Sequence, residues 1–189
     1  MKKITFIAAG LIFSVSAFAQ TWKLDAAHSR VGFSLVHYGV NEFHGSFKNT
    51  DATITSSKAD FTDATIEIKA EVANINTDNA QRDAHLQKED MLDATKYNAI
   101  AFKSTTFKKT GAKTYDVAGE LTFHGVTKPV VLKAELVGTA THPMNKKEIA
   151  GFKVTGSFKR SDFGVAPGMP EAMLSDVVKI EADTEFIKG

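Results

Sequence analysis

The chain has 189 residues, with 23 lysines and arginines against 22 aspartates and glutamates. This near-neutral balance argues against bulk electrostatic attraction to nucleic acid or to an anionic membrane surface. The chain contains no cysteine, which excludes disulfides, thiol chemistry and a lipid-modified cysteine anchor.

The first 19 residues have the features of a secretory signal peptide. Lys2 and Lys3 precede an apolar run from residue 4 to residue 15, and Ala17-Phe18-Ala19 supplies small residues at a cleavage site. The run is shorter than the ~20 residues that a membrane span needs. The alternative is a buried N-terminal helix. We expect cleavage between Ala19 and Gln20, and export to the periplasm or the cell exterior.

No later stretch is long and apolar enough to span a membrane, so we expect no integral membrane segment in the mature chain. Low-complexity tracts, long linkers and repeats are absent from the sequence. Residues 20–189 are therefore predicted to form a single domain.

Alternating apolar residues predict about eight β-strands, counting one from Gly45 to Ile54. Turn signals at 108–111, 125–129 and 142–145 separate several of the runs. A sheet of this size in a small domain closes into a barrel or splits into a sandwich. The residues that share one face in each run are Val31, Phe33 and Leu35; Ile66, Ile68, Ala70 and Val72; Ile100 and Phe102; Val117, Gly119, Leu121 and Phe123; Val130, Leu132, Ala134 and Leu136; Phe152, Val154, Gly156 and Phe158; and Val178, Ile180, Ala182, Thr184 and Phe186.

One segment departs from the β pattern. Residues 79–96 are polar and rich in helix formers, which predicts one or two short helices with Thr77 or Asp78 as the N-cap. Its apolar side chains are Leu86, Met91 and Leu92. A helix between barrel strands commonly lies over one mouth, where these side chains would plug the barrel or line an entrance.

Phenylalanine is the commonest aromatic residue, with 14 copies against one Trp and three Tyr. Phe33, Phe47, Phe102 and Phe123 fall on predicted inward faces. An eight-stranded barrel is either filled by its own side chains or holds one ligand, and the composition alone leaves both readings open.

Eight short motifs stand at residues 22–33, 45–47, 82–86, 91–94, 97–104, 117–130, 159–164 and 175–178. In this order, and over nearly all of the mature chain, they resemble the motifs of the YceI-like polyisoprenoid-binding family. Two positions depart from the family pattern: Asn98 stands where proline is common, and Met91-Leu92 where aromatics are common.

The resemblance implies an eight-stranded antiparallel lipocalin-like barrel with a short helical insertion. It also implies a long isoprenoid chain, of the quinone or prenyl diphosphate type, held in an apolar tunnel. The mouth is expected to be reshaped by Met91 and Leu92. We assign the tunnel lining to the inward and helical residues Phe33, Leu35, Phe47, Ile68, Leu86, Met91, Leu92, Phe102, Leu121, Phe123 and Leu132.

Six polar residues are candidates for contacts with the ligand's head group. Arg82 and His85 are three residues apart, on one face of the predicted helix. Arg82 and Arg160 could bind a diphosphate through charge-assisted hydrogen bonds. The structural alternatives are an Arg160–Asp162 loop pair and a turn capped by His28. The full set is His28, His37, Arg82, His85, Arg160 and Asp162.

Enzymatic readings have less support in the sequence. The six histidines do not form a paired zinc motif, and Ser29 beside His28 lacks a nucleophile-elbow context. We therefore expect a carrier or sequestering protein, a monomer or homodimer with no metal and no cofactor besides its lipid ligand. The alternative is a β-barrel enzyme or a metal-binding module that uses His28, His85 and Arg160.

Overall fold

A computed structural model describes residues 19–189, and eleven antiparallel strands in this range form one sheet. The predicted signal peptide lies outside the described residues, apart from Ala19. The strands are β1 (Gln20–Leu24), β2 (Arg30–His37), β3 (Asn41–Phe47), β4 (Asp51–Ser56), β5 (Thr65–Glu71), β6 (Ile75–Asn76), β7 (Ala99–Lys109), β8 (Thr114–Phe123), β9 (Val126–Thr141), β10 (Glu148–Lys159) and β11 (Val177–Lys188).

The strand pairings close this sheet into a barrel of eight positions. β1 and β2 follow each other along one edge of β11. In the same way β3 and β4 together face β1 and β2, and β5 and β6 together face β3 and β4. Each of these three pairs fills one barrel position, and β7 to β11 fill the other five. The predicted eight-stranded antiparallel barrel is therefore confirmed.

The predicted continuous strand from Gly45 to Ile54 is wrong in one respect, because residues 48–50 interrupt it. Asn49 adopts a positive φ of 53°, and the Thr50 hydroxyl donates to the Phe47 carbonyl at 3.1 Å. Asparagine tolerates the left-handed region better than most residues. The interruption separates the two halves of this barrel position.

The predicted turn at residues 125–129 is also wrong in its length. The turn consists of His124 and Gly125, both with positive φ, and β9 starts at Val126. Pro129 lies inside β9, where it pairs with Glu120 of β8. Pairing of β9 with β10 extends only from Lys133 to Thr141. The missing N–H of Pro129 therefore costs no hydrogen bond on that edge.

A single helix, α1 (Ala80–Leu86), occupies the predicted helical segment. Its N-cap is Asn79, whose side chain accepts from the Arg82 amide at 3.0 Å, so the predicted caps Thr77 and Asp78 were wrong. Thr77 instead donates through its hydroxyl and its amide to Asp83. No helix among residues 19–189 is long and apolar enough to cross a membrane.

The end of the barrel away from α1 is filled by aromatic rings. Phe61, in the loop between β4 and β5, is 1% exposed and packs between Trp22 and Phe152 at centroid distances of 5.3 and 5.1 Å. Asp63 holds this loop by accepting from the Ser56 hydroxyl at 2.6 Å and from the Ser57 amide at 3.0 Å. The loop therefore acts as a plug, and we call this end the closed end.

Candidate functional site

The half of the barrel nearest α1 contains an apolar cavity of about 160 Å³, the outer chamber. Its walls come from the inward faces of the strands, from α1 and from the loop after the 3-10 helix Arg160–Phe163. The lining includes all eleven residues predicted for the tunnel: Phe33, Leu35, Phe47, Ile68, Leu86, Met91, Leu92, Phe102, Leu121, Phe123 and Leu132.

Half-exposed side chains mark the mouth of the outer chamber. Leu86 of α1, Phe43 of β3 and Leu174 line the cavity and retain partial exposure, whereas Met91 and Leu92 are each only 6% exposed. The segment after α1 folds its apolar side chains inward because the Leu92 amide donates to the Leu86 carbonyl. The helical insertion therefore supplies part of the chamber wall through Leu86, Met91 and Leu92.

A second, smaller cavity of about 60 Å³, the inner chamber, lies deeper in the barrel. Phe107, Phe152 and Phe186 line it toward the closed end. The two chambers lie end to end, since they share lining residues at one level of the barrel. These shared residues, which we call the belt, are Val31, Ile68, Phe102, Leu132 and Ile180.

The chamber walls carry very little polarity. Arg160 is the charged residue that lines the outer chamber, and Thr184 is the polar residue that lines the inner one. A site of this kind gains affinity by removing apolar surface from water and has few groups that could transfer a proton. Its geometry suits a long, narrow hydrocarbon chain.

Arg160 is buried at 5% exposure beside the outer chamber. Its five N–H groups donate to carbonyl oxygens of the loop that follows it, at residues Val165, Ala166, Met169, Leu174 and Ser175, over 2.5 to 3.2 Å. The guanidinium therefore shapes the loop that carries Val165, Ala166 and Leu174 into the cavity wall. The cation also contributes a positive potential at this wall.

Arg82 lies at the rim of the mouth. It donates through Nε and Nη2 to the hydroxyl and carbonyl of Thr77 at 2.8 and 2.6 Å. Its guanidinium carbon stands 5.1 Å from the centre of the Phe43 ring, which itself lines the outer chamber. Among the predicted head-group residues, Arg82 is the one whose guanidinium lies over the ring of a residue, Phe43, that lines the outer chamber.

The other four head-group candidates are dispersed. His85 pairs with Asp90 at 3.5 Å, and Asp162 with Lys128 at 3.5 Å. His37 is exposed and packs edge-on against the Tyr38 ring. The predicted Arg160–Asp162 pair was wrong, because the two side chains bind different partners. The six residues are thus not gathered into one polar pocket, and their role as head-group contacts stays a prediction.

His28 belongs to a separate cluster with Asp25 and Glu185. His28 Nδ1 lies 2.9 Å from Asp25 Oδ2 and 4.0 Å from Glu185 Oε1. The hydrogen bond between His28 and Asp25 lowers the pKa of Asp25 and raises the pKa of His28. His28, His85 and Arg160 have no partner in common, so the alternative module built on these three is not assembled among the described residues.

Sequence reasoning missed several lining residues. Val130, Phe158 and Ile180 were already on predicted inward faces, and the period-two pattern alone could have found them. Val165, Ala166 and Leu174 follow no periodicity, because they lie on a loop. Their placement depends on Arg160, whose carbonyl partners cannot be read from the order of residues.

Comparisons with known proteins agree with this geometry. A family model described as the YceI-like domain matches residues 22–186. Protein YceI of Shigella flexneri is 38% identical over 172 residues, covering 87% of this chain and 88% of its own length.

Two solved structures share the fold. The YceI protein of Campylobacter jejuni superposes with a TM-score of 0.73 at 27% identity, covering 99% of this chain and 98% of its own. A polyisoprenoid-binding domain from Saccharophagus degradans superposes with a TM-score of 0.65 at 14% identity, covering 89% and 98%. The match of the family model over residues 22–186 and the Shigella relative together establish that this chain belongs to the YceI-like family.

Proposed function

We propose that this protein is a carrier or sequestering protein for a long isoprenoid lipid, of the quinone or prenyl diphosphate type. The observation that carries the proposal is the pair of apolar chambers aligned in one barrel, where Arg160 is the one charged lining residue among residues 19–189. The family, and the polyisoprenoid-binding domain with the same fold, support it. On this proposal the lipid is the only ligand, and neither a metal nor an organic cofactor takes part.

Simple energetics make such binding feasible. An isoprene unit has five carbons, and its burial contributes at most roughly 4 kcal/mol at ~0.8 kcal/mol per carbon. Nanomolar affinity requires about 12 kcal/mol net. About three or four buried units would therefore suffice in gross terms, before association and chain-ordering costs are subtracted. Strong polar contacts are therefore unnecessary, and polar groups at the mouth would mainly orient the ligand.

The test is to remove any bound lipid from the protein and then to measure its affinity for an isoprenoid quinone. Wild type is compared with two matched arginine variants. Leu121 is buried and lines the outer chamber, whereas Val131 on the adjacent strand is 55% exposed. Leu121→Arg is expected to abolish binding because the cation enters the apolar lumen. Val131→Arg is expected to bind like wild type.

A neutral variant keeps the test decisive if Leu121→Arg fails to fold. Ala70 is 5% exposed and lines the outer chamber, so Ala70→Phe fills volume without adding charge. Circular dichroism verifies that each variant folds. Quinone binding by a folded Ala70→Phe variant at wild-type affinity would contradict the proposal.

We propose further that the carrier acts after export, with residues 1–19 removed. The support is the charged start, the apolar run and the small residues of Ala17-Phe18-Ala19. Intact mass of the protein from its natural host is expected to match a chain that begins at Gln20. A mass that retains residues 1–19 would contradict export by this route.

The proposal also states that the ligand is bound and not converted. At the helical rim, Nε2 of His85 lies 3.5 Å from a carboxylate oxygen of Asp90, an arrangement that resembles a general base and its acidic partner. Lipid recovered from the loaded protein is therefore expected to be chemically unchanged. Product formed by wild type but lost in His85→Ala, where removal of a general base typically costs 10²–10⁴ in rate, would replace the carrier by an enzyme.

A further inference from the structure

Gly156 lies at the level of the belt that separates the two chambers. It pairs with Ile180 of β11 on one side and adjoins Leu132 of β9 on the other. Both neighbours line both chambers. On the opposite side of the belt, Ile68 pairs with Phe102. A chain that passes from the outer to the inner chamber must cross this ring of side chains.

The missing side chain of Gly156 makes room for Leu132. A Cβ added at Gly156 would stand 2.5 Å from Cδ2 of Leu132, far inside normal contact distance. The other Leu132 atoms that it would approach are 3.7 Å away, so only the free end of a flexible side chain must move. Because Leu132 already lines the lumen, the rotated methyl group would enter the passage between the chambers.

The same arrangement occurs at two other glycines, with different consequences. A Cβ at Gly45 would overlap the Phe33 ring, which lines the outer chamber only. A Cβ at Gly119 would meet the Phe102 ring and also stand 2.5 Å from the Lys103 carbonyl oxygen. That backbone atom cannot rotate away, so alanine at 119 would strain the sheet. Gly156 is therefore the glycine whose substitution narrows the belt at the smallest structural cost.

We propose that Gly156 sets the width of the belt and thereby the length of isoprenoid chain that the barrel accepts. This inference rests on the proposed function. On this inference a short chain occupies only the outer chamber and does not cross the belt. A long chain must thread between Leu132, Ile180, Ile68 and Phe102 to reach the inner chamber, and it does so because Leu132 lies back against Gly156.

The experiment compares affinities for a prenyl alcohol of two isoprene units and one of eight units. Gly156→Ala is expected to weaken binding of the eight-unit alcohol at least tenfold and to leave two-unit binding within about twofold. The matched control is Gly138→Ala in β9, because a Cβ there would meet no atom within 4 Å. This control is expected to bind both alcohols like wild type.

A second substitution tests whether Leu132 carries the effect. In the double variant Gly156→Ala/Leu132→Ala the colliding methyl group is absent, so long-chain binding is expected to return to within about threefold of wild type. Long-chain binding by folded Gly156→Ala at wild-type affinity would overturn the inference. A double variant as weak as Gly156→Ala would also overturn it, since Leu132 would then not be the obstruction.

If Gly156→Ala does not fold, Ile68→Phe replaces it in the experiment, because a larger side chain at residue 68 narrows the same belt from the far side. A loss of affinity for the long alcohol alone would support the role of the belt. Unchanged affinity for both alcohols would overturn it. Wild type that binds neither alcohol contradicts the proposed function itself. Wild type that binds both, with a chain-length preference unaffected in Gly156→Ala, contradicts only the role of Gly156.

Discussion

The two ends of this barrel differ in the space that their phenylalanine rings leave open. At the closed end the ring of Phe152 contacts the rings of Phe61 and Phe186, with centroid distances of 5.1 and 6.2 Å. At the open end Phe33 and Phe47 lie against the wall and face a cavity. Ring content alone therefore does not decide whether a barrel is filled. The difference is that the loop between β4 and β5 inserts Phe61 among the rings of the closed end, whereas the loop after Arg160 contributes to the wall of a chamber that stays open.

The largest expected effect comes from removing the plug. Phe61→Ala is expected to lower the free energy of unfolding by about 3–5 kcal/mol, as for other buried phenylalanines. Phe33→Ala is expected to cost about 1–2 kcal/mol, because the Phe33 ring already faces empty space and loses fewer contacts. Urea denaturation of both variants measures the difference. Equal losses at the two positions would contradict the distinction between a filled end and an open end.

A second comparison sets two arginines of the open end against each other. Arg160→Met is expected to cost about 3 kcal/mol or more, because five carbonyls lose a buried charged donor. Arg82→Met keeps the apolar stem and removes two hydrogen bonds at the rim, for about 1 kcal/mol. Thermal unfolding distinguishes them. A larger loss for Arg82→Met would show that the loop after Arg160 does not depend on its guanidinium.

The smallest expected effect lies outside both chambers, at Asp25 and His28. The Asp25 hydrogen bond raises the pKa of His28, so the pair stabilises the fold fully below the ordinary histidine pKa. That contribution disappears as the pH rises through the raised value. At the acid side it disappears as the pH falls through the lowered pKa of Asp25.

NMR titration of the His28 imidazole checks this assignment. In Asp25→Asn the pKa of His28 is expected to fall toward its ordinary value. The variant is expected to lose more thermal stability near pH 5 than near pH 9. Equal losses of thermal stability at the two pH values would show that the charged Asp25–His28 pair does not stabilise the fold. The interpretation of the two chambers would not change.

Regular strands made the outer chamber predictable. Alternation placed Phe33, Phe102 and Leu121 on inward faces, and the helical segment placed Leu86 at a mouth, because both inferences need only local periodicity. The resemblance to the family decided between a barrel and a sandwich. The limits of the sequence appear where the chain leaves regular structure.

Three features depended on tertiary contacts. Phe61 fills the closed end from a loop and adopts a positive φ, which no apolar pattern signals. Arg160 donates to carbonyls of its own loop, and these partners follow no pattern in the sequence. Gly156 was only one member of an inward face, and its place beside Leu132 and Ile180 comes from strand register.

The central claim, that the aligned chambers hold a long isoprenoid chain, is tested most directly on protein made in its natural host and purified without detergent. Native mass spectrometry, followed by analysis of the organic extract, identifies what the barrel contains. The account predicts about one isoprenoid lipid per chain in wild type and none in a folded Ala70→Phe variant. An empty wild-type barrel, or equal lipid in both proteins, would contradict it.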